Sequence, residues 1–292
     1  QTICNGSDPV AFISVVHGTG DGTVTFEWQI SINGTNFNPI PSTNAPNYDS
    51  PALTADTWFR RITRSDISGV ICEKISNVVM VTVNEVYGGT IATDQSICFG
   101  KVPAPLISTN DGSGTGAVTY QWLRSGDGVI WNTLSGENQT TYTPGVLYSD
   151  TWYKRILISI QNGVLCQAES NPVKITVNSL PVAVLTGGET ICPGDPATLT
   201  INITDGTPPY VVDIENHGLV TINTTTADIT VSPLFTTTYK LLKVTDANGC
   251  EAVNMIGSAT VTVRDLPVIV TGPSDKITCE YGVVAFNVVA TG

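Results

Sequence analysis

The chain is written at least twice over. A shift of 94 residues lays its first third on its second without a gap. Cys4 falls on Cys98, Trp28 on Trp122, Phe37 on Trp131, Tyr48 on Tyr142 and Trp58 on Trp152. Arg61 on Arg155, Cys72 on Cys166, Asn77 on Asn171 and Val83 on Val177 continue the match. A period of this size makes the chain a tandem array of small modules, not one large domain. A divergent third copy follows, with "ICPGDPATLTI" at 191–201 echoing "ICNGSDPVAFI" at 3–13. A fourth opens at "ITCEYGVVAFNVVATG" (277–292). The expected boundaries are 1–84, 85–179, 180–265 and 266–292. The first copy lacks the lead-in "YGGTIATDQS" of the second and the last is cut short, so the residues read as a window on a longer array.

Each copy reads as β-structure. "TVTFEWQISI" (23–32) and "AVTYQWLRS" (117–125) alternate apolar and polar residues, the period of a half-buried strand. "NVVMVTV" (77–83), "NPVKITV" (171–177) and "SATVTV" (258–263) close the copies alike, and turn residues such as Asn33-Gly34 and Asn248-Gly249 separate the strands. No dozen residues carry a helical apolar stripe. About seven short strands in a module of this length predict an all-β, Ig-like sandwich. The short joints at 83–89, 177–182 and 263–268, two of them stiffened by Pro181 and Pro267, predict an elongated rod of tandem sandwiches with limited bending.

The seven cysteines fit this scheme. Cys4 and Cys72, Cys98 and Cys166, and Cys192 and Cys250 form one pair per copy, while Cys279 opens the fourth copy and its partner falls outside the segment. Paired cysteines point to disulfides in an oxidising, extracellular or cell-surface location. Two connectivities are open. Cys72 should lie near the turn before the last strand and Cys4 ahead of strand B, at opposite ends of an ideal sandwich. Either the lead-in strand bends to join them, or each bridge staples neighbouring copies, Cys4 to Cys166 and Cys98 to Cys250. Pairing within a copy is favoured here, because a self-contained repeat is simpler to duplicate.

A net charge of −12 excludes the basic stripe that nucleic acid requires and electrostatic docking to anionic lipid. No run of 18 apolar residues provides a membrane span. The two histidines, His17 and His217, have no nucleophile motif beside them, so no catalytic residue and no enzyme is expected. Gly18, Gly20 and Gly22, repeated as Gly112, Gly114 and Gly116, precede a strand instead of the helix a phosphate loop needs. "TDANGC" (245–250) starts like a calcium loop but lacks the later carboxylates, and a hairpin turn accounts for it better. No metal ligand set and no cofactor is expected. Structural Ca²⁺ at the joints of an acidic surface protein is the alternative, and no repeated carboxylate cluster supports it.

"DTWFRR" (56–61) and "DTWYKR" (150–155) are read as strand F, with Trp58 and Arg60 on one face and Phe59 and Arg61 on the other. The third copy puts Leu241 at the second arginine, which suggests that the arginine stem packs on the sheet with its head at the edge. A stacked Arg–Trp pair across strands is also expected. Trp58 and Trp152 as a carbohydrate platform is the sharper alternative to packing.

"ICxG" at each opening, "SGDGVIWNTL" (125–134), "YTPGVLYSDTWYKR" (142–155) and "TTTYKLLKVTDANGC" (236–250) resemble the Ig-like and PKD-like repeats of giant Bacteroidetes surface proteins, including gliding-motility adhesins of the SprB type. The resemblance covers nearly the whole chain. It implies an extracellular, type IX-secreted, filamentous adhesin in which these repeats form a stalk. Neighbouring repeats are then the main partners, with surface polysaccharide or other copies in a fibre beyond them. Spacer or glycan-binding modules of a secreted polysaccharide-degrading enzyme are the alternative.

Overall fold

The computed structural model describes residues 1–292. The chain contains strands joined by turns and irregular loops and no helix, as the period-2 patterning predicts, and it forms an all-β array of Ig-like domains. Two compact units are present: Gln1–Gln95 with Val102–Thr176, and Ser96–Lys101 with Val177–Gly292.

The first unit holds the first two repeats. In repeat 1, Thr57–Ile67 is the centre of a six-stranded sheet and pairs antiparallel with Thr23–Ser31, Val70–Ile75 and Val79–Asn84. The lead-in strand Thr2–Cys4 lies parallel to the closing strand Val79–Asn84, placing Cys4 beside Asn84. A lead-in strand parallel to the last strand, followed by Thr57–Ile67 and then Thr23–Ser31, is the strand order of one Ig sheet. The facing layer is reduced to single bridges, Ser7 with Leu53 and Phe12 with Tyr48. Aromatic area compensates for those missing strands. Phe12, Trp28, Tyr48 and Phe59 pack ring on ring at centroid distances of 4.9–6.4 Å over Val81 and Val83.

Repeat 2 repeats the plan. Thr151–Gln161 is its central strand, flanked by Ala117–Ser125, Val164–Glu169 and Val173–Asn178. Leu106, Trp122, Tyr153 and Ile175 fill its core.

The second unit closes a fuller sandwich. Thr226–Val231, Ala197–Thr204, Val182–Gly187 and Asn254–Ile256 form one sheet; Thr190–Ile191, Ser258–Val263, Thr237–Thr245, Tyr210–Ile214 and Gly218–Ile222 form the other. Leu185, Leu199, Ile201, Tyr210, Val212 and Val261 interdigitate between them, each with at most 1% of its surface exposed. Leu241, at the position of the second arginine, joins this core. Val268–Thr271 and Val289–Thr291 pair as a separate hairpin.

The cysteines overturn the favoured pairing. Cys4 is bonded to Cys166 and Cys98 to Cys250, each pair with Cα atoms 5.5 Å apart. Cys72, Cys192 and Cys279 are free and exposed, so the pairs Cys4–Cys72, Cys98–Cys166 and Cys192–Cys250 are not formed. The reason is the parallel lead-in strand. It carries the first cysteine to the exit end of its own copy, next to Asn84, whereas the second cysteine follows the turn at the entrance end.

Candidate functional site

The richest polar constellation lies inside the first unit, where repeat 1 passes into repeat 2. Asn84 ends the closing strand with none of its surface exposed. Its Nδ2 donates to the carbonyls of Ser159 and Val164 at 2.9 and 3.2 Å. Its Oδ1 accepts from Ser159 Oγ at 2.7 Å and Thr115 Oγ1 at 3.1 Å. The amide is thus fully satisfied by the next repeat, which removes the cost of burying it. The Thr115 N–H donates to the Glu85 carbonyl and the Glu85 N–H to Thr115 Oγ1, and Val86–Tyr87 adds an antiparallel edge to Ser113–Gly114. Gly88 and Gly112 allow this approach, since a Cβ at either would collide with backbone across the joint. The disulfide Cys4–Cys166 closes the same junction covalently.

Arg155 stands behind the joint, completely buried. Nη1 donates to Ser108 Oγ and the Thr140 carbonyl, and Nη2 to the carbonyls of Gly88, Asn110 and Asp111. The guanidinium lies 4.7 Å from the Tyr120 ring centroid. Burial pulls its pKa below the usual arginine value. Arg61 does the same in repeat 1, bonding the carbonyls of Pro46, Val16 and His17. The expected arginine head at the sheet edge is therefore corrected: each is a buried clamp on strand F, Arg155 tying down three segments and Arg61 two. The stacking expectation is met in altered form. Arg61 pairs across strands with Trp28 but sits closer to the Phe26 ring, 4.8 Å against 6.0 Å from the centroids.

Trp58 and Trp152 are half-buried on the opposite face from Phe59 and Arg61, as alternation requires. Their indoles lie over the turn glycines Gly34 and Gly128. Lys174 Nζ sits 4.9 Å from the Trp152 ring centroid and bridges to Asp150 at 2.7 Å. The exchange of Phe37 for Trp131 keeps its partner: Arg60 stacks on Phe37 at 4.1 Å and Lys154 on Trp131 at 4.4 Å.

His17 contributes a backbone carbonyl to Arg61, while His217 ends a turn in the second unit, its N–H donating to the Ile214 carbonyl. In "TDANGC", Asp246 uses both carboxylate oxygens on backbone amides, taking Asn248, Cys250 and Thr207. That is an Asx-type cap of a turn. No three His, Cys, Asp or Glu side chains lie close enough together to share a metal ion.

Sequence reasoning missed Asn84. Its signal was present, because Asn84 and Asn178 match at the repeat period just past the closing strand, and Arg264 breaks the match in the third copy. Asn178 is used differently, donating to Ser96 Oγ on its own lead-in strand at 2.7 Å.

A family model described as a Domain of unknown function (DUF8696) matches residues 1–85 and again 87–179. The chain belongs to this family. Its two matched DUF8696 copies are the two repeats of the first unit. No curated protein matches. Among solved structures, Sidekick-1 immunoglobulin domains 1–4 are similar at 13% identity and a TM-score of 0.27, over 94% of this chain and 74% of that one. Sidekick-1 immunoglobulin domains 1–5 match at 13% and 0.27, over 99% and 63%. The N-terminal eight Ig domains of Down Syndrome Cell Adhesion Molecule match at 11% and 0.28, over 94% and 38%.

Proposed function

We propose that these repeats are a non-catalytic structural and adhesive region of a long extracellular surface protein, acting as a disulfide-stapled stalk. The observation that carries this reading is the junction in the first unit, where the Cys4–Cys166 bridge and the buried Asn84 amide bind one DUF8696 copy to the next. A joint with a covalent rung and a satisfied buried amide resists shear and local opening. Two disulfides suit an oxidising environment outside the cell. The buried polar groups Asn84 and Arg155 are engaged in holding loops and the next repeat, which supports a structural role.

The finer assignment is to filamentous gliding-motility adhesins of Bacteroidetes exported by type IX secretion, and the motif resemblance supports it. The partners are then the neighbouring repeats, with surface polysaccharide or further copies in a fibre as what the array meets. No cofactor takes part. Immunogold labelling of intact cells with antibody to this segment tests the proposal. Label along surface filaments is the expected result, and label appearing only in broken cells would refute it. A catalytic domain on the same polypeptide, with glycan binding lost in Trp58→Ala/Trp152→Ala, would replace it with the polysaccharide-enzyme reading.

A further inference from the structure

The entrance face of repeat 2 is filled by Asn84 and Cys4 of repeat 1 and by the joining segment 85–91 that follows Asn84. Val86–Tyr87 pairs with Ser113–Gly114, Thr90–Ile91 with Ser108–Asn110, Asn84 with Ser159 and Val164, Gly88 with Arg155, and Cys4 with Cys166. Shifting these acceptors back by 94 residues leads to Thr19–Gly20, Ser14–Val16, Ser65, Val70, Arg61 and Cys72. There the same elements surround an open groove, lined by Val16, Gly20, Arg61, Ser65, Val70 and Cys72.

Each position in the groove lacks what its counterpart has. Cys166 is 2% exposed and bonded; Cys72 is exposed and free. All six residues of Val70–Ile75 are exposed, whereas Val164–Glu169 is partly buried. Val16 and Val70, which both line the groove, show 78% and 67% of their surface. Ser159 Oγ both accepts from Gly116 and donates to Asn84; Ser65 Oγ only accepts, from Gly22. Arg61, more than nine-tenths buried, turns Nη2 to Val16 and His17 and has no equivalent of the Gly88 carbonyl.

We infer that this groove is a socket for the end of another DUF8696 copy placed in tandem ahead of repeat 1, together with the joining segment that follows it. The segment reads like Asn84–Ile91. Its asparagine takes Ser65 Oγ and the Ser65 and Val70 carbonyls, its glycine carbonyl takes Arg61, and its lead-in cysteine bonds Cys72. The covalent step joins two thiols through a new S–S bond. Two electrons and two protons pass to a small-molecule disulfide such as oxidised glutathione, which leaves as two thiols. The occupant is specific. The exit of repeat 3 carries Arg264 where Asn84 stands, and a guanidinium has no acceptor for Ser65 Oγ. This holds whatever the array displays or binds.

The test is the full chain with residues 1–94 duplicated in frame ahead of Gln1, folded in a glutathione redox buffer beside the unextended chain. Cys72 should alkylate freely in the unextended chain and lose that reactivity in the extended one. Non-reducing peptide mapping should link Cys72 to Cys4 of the added copy, with the original Cys4 still on Cys166. With Cys4→Ser in the added copy, amide exchange of Val70–Ile75 should stay slowed, and adding Asn84→Ala there should restore fast exchange. Continued alkylation of Cys72 in the extended chain, its pairing with Cys4 of its own copy, or Cys72–Cys192 dimers of the unextended chain would each overturn the inference.

Discussion

Arg155 and Asn84 show how one residue type can reverse its usual place. Long charged side chains stay outside unless they find partners, and Arg155 meets four carbonyls and a hydroxyl inside the fold through its two Nη atoms, leaving Nε buried without a partner. Arg155→Ala strands these acceptors and leaves a cavity, and should lower unfolding free energy in urea by about 3–5 kcal/mol. Arg61→Ala should cost less, since Arg61 holds only three carbonyls. Asn84→Ala should cost about 1–3 kcal/mol and speed amide exchange at Ser159–Val164 across the joint, while leaving the core of repeat 1 protected. Asp127 offers a pH test. Backbone amides of Ile130 and Val129, and then the Ser125 hydroxyl, hold its carboxyl below the usual aspartate range. Its folded value is depressed, so its contribution is full above the ordinary carboxylate range and is lost as pH falls through the folded value. Asn33 makes the same turn in repeat 1 without a charge. Asp127→Asn should therefore keep the turn and flatten the acid limb of the stability profile, followed by thermal melts from neutral to acidic pH.

At the scale of elements, alternation was legible. Trp58 and Arg60 part from Phe59 and Arg61 as a strand in "DTWFRR" demands, and the aromatic shared by Phe59, Tyr153 and Tyr239 is core in all three copies. The period exposed the modules for the same reason: side chains that pack alike are spelled alike. The connectivity was not legible, because spacing in sequence says nothing about which end of a sheet a strand reaches. One parallel pairing, Thr2–Cys4 on Val79–Asn84, decided it. The guanidinium was misplaced for a related reason. Leu241 in the third copy shows that the position faces inward, but no local pattern says that surrounding loops will offer carbonyls to an arginine there. Breaking the rung tests the element directly. Cys4→Ser/Cys166→Ser should cost the first unit about 2–5 kcal/mol in urea unfolding, and Cys72→Ser should leave the midpoint where it was.

The whole molecule has its bridges offset by one copy. Its joints hold no carboxylate cluster for a cation, and EDTA should leave its melting temperature unchanged, as read by differential scanning calorimetry. The offset has a topological result. Cys4–Cys166 spans 162 residues and Cys98–Cys250 spans 152, and the two loops overlap between Cys98 and Cys166. Had each copy closed on itself, a protease reaching the stretch between Cys72 and Cys98 would sever the chain in one cut. With overlapping loops, a single cut anywhere from Cys4 to Cys250 still leaves one covalent molecule. Lightly proteolysed protein should therefore run as one full-length band without reductant and fall into fragments with it. The interlocked bridges give the polypeptide a second covalent path past every peptide bond they enclose, so it behaves as a braid, in which one broken thread does not part the line.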